Sequence, residues 1–238
     1  MHAITYELKS YLMKKGLVIG GLSALIIISV LYAKQKPGKP IGKLENKTIE
    51  LKCDAQNQEL KTGDIIFQTS LSQQSKAIQL ATRSKYSHCG LIFKEGNSYY
   101  VFEAVQPVKR TPLNKWIARG QDGKYVIKRL KNADQLLTGP VLAKMKQVCT
   151  QFNGKSHDLT FEWSDEKIYC SELIWKVYKR AGGLEVGKLQ KLSNFDLKSD
   201  VVKKIMKQRY GNKIPTNETV ISPAAIFDSE LLTTVKSN

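Results

Sequence analysis

The chain has 238 residues, 42% of them hydrophobic and 25% charged, a balance typical of one globular domain with an appendage. Its net charge of +17 favours anionic partners such as lipid headgroups, but without a nucleic-acid-binding motif we expect no nucleic-acid partner. The four cysteines contain no Cys-x-x-Cys pair and only three histidines accompany them, so we expect no metal and no cofactor.

The N-terminal part of the chain divides into three predicted segments. Residues 1–15 are a basic segment, residues 16–33 carry no charge, and residues 34–48 are a polar linker with two prolines. Eighteen uncharged residues can just span a bilayer core, which needs about 17–25. The alternative is a cleaved signal peptide, but its apolar core is usually only about 7–15 residues long, and Leu31 makes cleavage after Ala33 unfavourable. We therefore predict one N-terminal transmembrane helix that stays on the protein.

Two features of the sequence predict opposite orientations for this anchor. Lysines are more numerous after the anchor than before it, and the positive-inside rule would then leave the main domain in the cytoplasm. A basic segment followed by an apolar run, however, resembles an export signal. We expect the main domain on the exported side, periplasmic or extracellular.

Residues 49–238 form the predicted globular domain, and its elements follow from hydrophobic periodicity and turn residues. Asp64 is interpreted as a turn residue that precedes a buried strand. Strands are predicted at residues 65–67, 87–93, 99–105 and 125–130. Helices are predicted at residues 75–82, 113–119, 141–152, 170–181 and 200–208, with a last short helix at Ser222-Pro223.

Cys170 lies at the start of a predicted amphipathic helix. Apolar residues recur after it at helix spacing, and Gly182-Gly183 ends the pattern. The free N–H groups and the dipole at a helix start favour a thiolate, the nucleophilic form of cysteine. The alternative is a small buried apolar residue, and the choice depends on whether a histidine lies close in space.

The strands at 87–93 and 99–105 supply that histidine together with a carboxylate. If Glu95-Gly96 form the connecting turn, His88 lies directly opposite Glu103; if Gly96-Asn97 form it, the two residues are diagonal. Side chains alternate along a strand, so both registers place them on one face. We take the Glu95-Gly96 turn as the prediction.

Cys170, His88 and Glu103 therefore make a candidate nucleophile, base and orienting carboxylate. The backbone N–H of Cys170 is a candidate donor to an oxyanion. Tyr169 is a candidate for the same oxyanion site or for the substrate pocket, with a packing aromatic as the alternative. Two other residues are given structural interpretations: His157 as a surface loop residue, and Cys89, which follows His88 on the strand, as a core residue on the opposite face.

Five motifs are spread over residues 59–232: Gly63-Asp64-Ile65-Ile66-Phe67, Ser87-His88-Cys89-Gly90, Phe102-Glu103-Ala104-Val105, Tyr169-Cys170-Ser171-Glu172-Leu173 and Ser222-Pro223. At these motifs the chain resembles the YiiX/YaeF-type permuted papain-like amidases of the NlpC superfamily. The resemblance implies an α+β fold with a circularly permuted papain-like core, in which an antiparallel sheet packs on the helix bearing the cysteine. One departure is His157-Asp158, where the family leads us to expect Tyr-Asp.

Three functions are compatible with these features. The first is a membrane-anchored cysteine amidase or peptidase that cleaves a cell-envelope peptide or an acylated amine through an acyl-enzyme on Cys170. The second is a thioesterase or acyltransferase that uses the same site on a lipid, and the third is a membrane-tethered binding module with an inactive site. The intact triad argues against the third, and the first two need the same nucleophile. The sequence does not fix the oligomeric state.

Overall fold

A computed structural model describes residues 58–238 of the chain. The predicted basic segment, membrane anchor and linker, together with residues 49–57 of the predicted domain, lie outside the described residues. Within residues 58–238, no helix is both long enough and apolar enough to cross a membrane.

A six-stranded antiparallel sheet is the centre of the described domain, as predicted. Its strands lie in the order β10-β5-β1-β2-β3-β4. They are β1 (Ile65–Gln68), β2 (His88–Glu95), β3 (Ser98–Glu103), β4 (Lys109–Pro112), β5 (Val126–Leu130) and β10 (Leu232–Ser237). Two pairs of two-residue strands lie outside this sheet: β6 (Ser156–His157) runs parallel to β7 (Lys167–Ile168), and β8 (Gln190–Lys191) runs antiparallel to β9 (Thr219–Val220).

Seven helices accompany these strands in residues 58–238, and the longer ones match the predicted helices to within a few residues. They are α1 (Gln73–Thr82), α2 (Leu113–Ala118), α3 (Ala133–Leu136), α4 (Gly139–Phe152), α5 (Cys170–Gly182), α6 (Asp200–Tyr210) and α7 (Pro223–Phe227). Short 3-10 turns occur at Gln121–Gly123 and Leu192–Asn194. The edge strands β4 and β10 were not expected from the sequence, which has no clear alternation there.

One face of the sheet packs against α5 and α4. Leu91 of β2, Leu173 of α5 and Met145 of α4 belong to one buried apolar cluster. The apolar residues of α5 recur every three to four positions, so they form one stripe that faces the sheet. Gly183 ends the helix in the left-handed region at φ +71, where glycine is favoured. This packing fixes the start of α5 beside the sheet.

The opposite face of the sheet packs against α2. Ile66, Ile92 and Val101 belong to a second buried cluster that includes Trp116 of α2. Successive side chains of a strand point to opposite faces, so Leu91 and Ile92 enter different clusters. By the same alternation, His88 starts β2 on the α2 side and Cys89 lies on the α5 side.

The turn between β2 and β3 differs from the predicted one. Glu95 pairs with Ser98, so Gly96-Asn97 form the two-residue loop and the Glu95-Gly96 turn is wrong. Gly96 is the first residue of the loop and adopts φ +57. Glycine tolerates this positive φ better than Glu95, which would be the first residue of the predicted turn. Continuing this register places Glu103 opposite Gly90 and diagonal to His88, still on the same face.

Gly90 allows the close approach of β2 and β3 at this point. A Cβ atom at this position would lie 2.3 Å from Cγ1 of Val101 and 3.5 Å from Cβ of Glu103. Contacts under about 3 Å do not occur between such atoms, so a larger residue would push β3 away. The glycine therefore helps to keep Glu103 within reach of His88.

A third apolar cluster joins α1 to α6. Ala77 of α1 packs with Val202 and Met206 of α6. An ion pair of 2.9 Å between Arg83 and Asp196 also joins these two parts of the chain. The two helices come from distant stretches of sequence, and they meet beside the start of α5, where they border a cavity.

Asp64 does more than form the predicted turn. Its carboxylate accepts hydrogen bonds from Nε of Arg129 at 2.6 Å and from Nη2 at 2.8 Å. The backbone N–H of Lys61 donates a third bond of 2.8 Å. Both side chains of this ion pair are buried, and it joins β1 to β5.

Candidate active site

Cys170 is the first residue of α5, and its side chain is almost fully buried. Tyr169 is the N-cap and makes no side-chain cap bond, while its carbonyl accepts from the N–H of Leu173 at 3.0 Å. The N–H groups in the first turn of a helix have no partner within the helix. The backbone at Cys170 is therefore a favourable place for negative charge.

His88 is held by Glu103 and by an aromatic ring. Its Nε2 lies 2.7 Å from Oε2 of Glu103, and its ring stacks on Trp116 with 5.7 Å between ring centroids. His88 also makes a hydrogen-bonding interaction with Cys170. Because Nε2 of His88 already bonds to the carboxylate of Glu103, Nδ1 is the ring nitrogen that is available to the sulfur of Cys170.

Glu103 is fully buried and uses both carboxylate oxygens. Oε1 accepts from Oγ1 of Thr111 at 2.6 Å and from Nη2 of Arg119 at 2.5 Å, and Oε2 faces His88. Burial by itself raises the pKa of Glu103, but the hydrogen bond and charge of His88, with Thr111 and Arg119, hold that pKa below its usual value. Glu103 is thus a carboxylate.

The pKa values of Cys170 and His88 are shifted in opposite directions. Hydrogen bonding from Cys89 is the largest cause that holds the pKa of Cys170 well below its usual value; burial opposes it, and the hydrogen bond and charge of His88 add to it. Burial lowers the pKa of His88, but its interactions with Cys170 and Glu103 raise it to about 9. At neutral pH the two residues therefore form a thiolate–imidazolium pair.

Cys89 has a place in this site that the sequence did not reveal. It is fully buried in the cluster on the α5 side, as predicted, and it also interacts with the thiol of Cys170. Burial raises the pKa of Cys89 well above its usual value, as does its interaction with Cys170. Cys89 is thus a neutral thiol that can donate to the Cys170 thiolate. Of the remaining cysteines, Cys149 is buried in α4 and Cys53 lies outside the described residues.

His157 is not the surface loop residue that the sequence predicted. It forms β6, is partly buried, and lines the same cavity as Cys170 and His88. Its backbone N–H donates to Oε1 of Gln106 at 2.7 Å, and its Nδ1 is buried without a hydrogen-bond partner. A pair of two-residue strands has no recognisable sequence pattern, so the position of His157 could not be found from periodicity.

Tyr169 is buried at the wall of the cavity. Its hydroxyl oxygen accepts a hydrogen bond from the N–H of Ile221 at 3.1 Å, and its ring lies edge-on to Phe161. Burial raises the pKa of Tyr169 well above its usual value, so the hydroxyl keeps its proton. Tyr169 is thus both a packing aromatic and a cavity-lining residue, and its predicted role at the oxyanion site stays a prediction.

The cavity beside Cys170 has a volume of about 480 Å³. Cys170, His88 and His157 line it. Much of the remaining lining is apolar and comes from α1, α6 and the segment between β8 and α6, including Ala77, Ile78, Leu192, Phe195, Ile205 and Met206. The site thus joins a reactive thiolate to an apolar enclosure.

Comparisons with known proteins identify the family of the chain. A family model described as "Permuted papain-like amidase enzyme, YaeF/YiiX, C92 family" matches residues 59–236. The chain is 52% identical over 175 residues to the uncharacterized protein YiiX of Escherichia coli strain K12, covering 74% of this chain and 85% of that protein.

A solved structure is similar over the same region. The crystal structure of "metalloprotein yiiX" from Escherichia coli O157:H7 aligns with a TM-score of 0.72 at 50% identity, covering 76% of this chain and 99% of that chain. The fold, the site and both relatives lead to one assignment. The chain belongs to the family of permuted papain-like amidases and is a cysteine hydrolase.

Proposed function

We propose that the chain cleaves an amide bond through an acyl-enzyme on Cys170, with His88 as base and acid and Glu103 as its orienting carboxylate. One observation carries this proposal: Cys170 at the start of α5 meets His88, and His88 is held at 2.7 Å by the fully buried Glu103. Cys170 and His88 both line a cavity that can hold a substrate, and Glu103 is buried behind His88.

Acylation begins from the thiolate–imidazolium pair. The sulfur of Cys170 attacks the carbonyl carbon, a C–S bond forms, and the carbonyl oxygen becomes an oxyanion. The backbone N–H of Cys170 is placed to donate to that oxyanion. When the intermediate collapses, the C–N bond breaks and Nδ1 of His88 gives its proton to the departing amine.

Deacylation reverses these roles. Nδ1 of His88 takes a proton from water, the hydroxide attacks the thioester carbon, and the C–S bond breaks to release the acid and the thiolate. Glu103 keeps the hydrogen of His88 on Nε2, so Nδ1 is the working nitrogen in both half-reactions. Its negative charge also stabilises the imidazolium.

The substrate we propose is an amine that carries an apolar acyl group. The apolar side chains of α1 and α6 support this choice because they can bury a hydrocarbon chain next to the sulfur. The same cavity also favours a second candidate, a thioesterase or acyltransferase acting on lipid. A cell-envelope peptide is the third possible substrate class, and it requires polar contacts along the backbone of the peptide.

The proposed mechanism includes no metal ion. The similar Escherichia coli protein is described as a metalloprotein. In the part of this chain that the structure describes, no group of three or more His, Cys, Asp or Glu side chains is arranged to hold a metal ion. The donor set near Cys170 therefore does not fit a metal centre, and thiolate chemistry needs none.

We further propose that residues 16–33 hold the enzyme in a membrane, with the catalytic domain on the exported side. The uncharged run and its flanking lysines support this. In a carbonate wash of membranes, the full chain should stay in the pellet. Release into the supernatant, or a mature N-terminus near Lys34, would refute the anchor.

The catalytic proposal is tested with an activity-based acyl probe and intact mass. The wild type should gain one acyl group, and Cys170→Ala should gain none. Competition by an N-acyl amine, an acyl thioester and a peptide then ranks the three substrate classes. Labelling that persists in Cys170→Ala would show that another residue is the nucleophile.

A further inference from the structure

We infer that His157 is a second oxyanion donor: its Nε2–H and the backbone N–H of Cys170 together bind the oxyanion formed during acylation and deacylation. This inference rests on the proposed acyl-enzyme chemistry, and it assigns a catalytic role to a residue that the sequence analysis interpreted as a surface loop residue. Three features of the structure support it.

The first feature is the fixed position of His157 relative to Cys170. His157 pairs with Ile168 across the parallel strands β6 and β7, and Ile168 is only two residues before Cys170. The adjacent Asp158 N–H donates to the Ile168 carbonyl at 3.1 Å. Gln106 holds the backbone of His157 from the other side at 2.7 Å. An oxyanion donor must be held rigidly in this way, because its contribution depends on preorganisation.

The second feature is the orientation of the imidazole. Nδ1 is buried and has no hydrogen-bond partner in the described residues, whereas the ring lines the cavity that contains Cys170. Nε2 is therefore the nitrogen that a bound substrate can reach. The tautomer with hydrogen on Nε2 leaves only a lone pair at the buried Nδ1 and places an N–H donor in the cavity.

The third feature is the charge state of the ring. Burial lowers the pKa of His157, and the charge of Cys170 only partly offsets it. Among the residues that the structure describes, no carboxylate binds Nδ1 in the way that Glu103 binds His88. The ring is thus neutral at pH 7, and it can donate to an oxyanion without taking the proton that His88 must carry.

Two reactions of Cys170 separate this role from others. Acylation by the acyl probe passes through a tetrahedral oxyanion, whereas alkylation by iodoacetamide displaces iodide and forms no oxyanion. In His157→Phe, which keeps a ring but no donor, single-turnover acylation should fall about 10²- to 10³-fold, the cost of losing one such donor. The alkylation rate should stay at the wild-type value when both proteins are compared at a pH where Cys170 is fully a thiolate, because the electrostatic interaction of His157 with Cys170 contributes only to the pKa of Cys170.

Two further variants form a matched pair. The amide nitrogen of glutamine can occupy the place of Nε2, whereas that of asparagine corresponds to Nδ1. His157→Gln should therefore recover part of the acylation rate, and His157→Asn should remain as slow as His157→Phe. If His157→Phe does not fold, as judged by thermal unfolding, the comparison of Gln with Asn still tests the inference.

Several outcomes would overturn it. Acylation of His157→Phe at the wild-type rate would show that the ring only lines the cavity. Equal loss of acylation and alkylation would show that it acts on the thiolate instead. A wild type that is alkylated at Cys170 but never acylated would overturn the proposed amidase chemistry and this inference together.

Discussion

Cys170 and Cys149 are buried cysteines on the packed helices α5 and α4, yet their thiols have opposite chemistry. Cys149 lies in the last turn of α4 within an apolar cluster, and burial raises its pKa. Cys170 is in the same cluster, at the first position of α5, and its pKa is held well below the usual value. Burial opposes the thiolate at both places, so burial does not decide which cysteine reacts.

The difference comes from the neighbours of each sulfur. Cys170 has the Cys89 thiol as a donor, the His88 imidazolium as a cation and the helix start behind it. Within residues 58–238, burial is the cause that raises the pKa of Cys149, and the residue lies at the end of a helix, where the dipole disfavours an anion. The following variants test this contrast, from the largest expected effect to the smallest.

The largest effect is expected from removing the Cys170 thiol. Cys170→Ala should lower amide turnover by about 10⁴- to 10⁶-fold, the range that loss of a nucleophile costs, with an unchanged circular dichroism spectrum. Cys149→Ala is the matched control and should keep the wild-type rate. Equal activity in Cys170→Ala and Cys149→Ala would show that Cys170 is not the nucleophile.

The second effect concerns the support of the imidazolium. Glu103→Ala should slow acylation by about 10²- to 10⁴-fold, because the ring of His88 loses both its orientation and the charge that stabilises it. Glu103→Gln should cost less, since the amide still offers a hydrogen-bond partner. The acylation rate of each variant is measured in a single turnover. Wild-type rates in both variants would show that Glu103 has only a structural role in its strand.

The third effect is a change in pH dependence. The pKa of His88 is raised to about 9, so the imidazolium and the ion pair persist below that pH and are lost above it. Wild-type acylation should therefore fall on the alkaline side near pH 9. In Glu103→Gln the pKa of His88 should drop, and the alkaline limb should move to lower pH. An alkaline limb that does not move would contradict the role of the carboxylate charge.

The smallest effect on the plateau rate is expected at Cys89, because its removal shifts the pKa of Cys170 but leaves Cys170, His88 and Glu103 in place. In Cys89→Ala the Cys170 thiolate loses its donor, so the pKa of Cys170 should rise and the acid limb of iodoacetamide alkylation should move to higher pH. Cys89→Ser keeps a donor of similar size and should stay closer to the wild type. If the wild type, Cys89→Ala and Cys89→Ser all showed the same acid limb, Cys89 would have no effect on the pKa of Cys170.

Much of the fold followed from local patterns. Helix periodicity located α4 and α5, and strand runs located β2 and β3 to within a few residues. The pairing of His88 with Glu103 was found because side chains alternate along strands in either register. The turn itself was predicted one residue too early, since Glu95-Gly96 and Gly96-Asn97 are both plausible hairpin loops.

The remaining site residues depend on contacts between distant parts of the chain. Thr111 reaches Glu103 because β4 pairs with β3, and β4 has no alternating pattern to reveal it. Arg119 reaches Glu103 from the end of α2. Cys89 was correctly placed on the face opposite His88, yet both residues reach Cys170 from the start of one strand. Such proximity cannot be read from the period of a single strand.

The walls of the apolar cavity and the reacting groups come from different stretches of the chain. α1 and α6 line the enclosure, whereas His88, Glu103 and Cys170 lie on β2, β3 and α5. Substitutions at α1 or α6 can lengthen or shorten the enclosure while the thiolate and its partners stay in place. The shape of the cavity and the reacting groups are therefore encoded in separate segments, so selection can change the cavity without replacing the residues around Cys170.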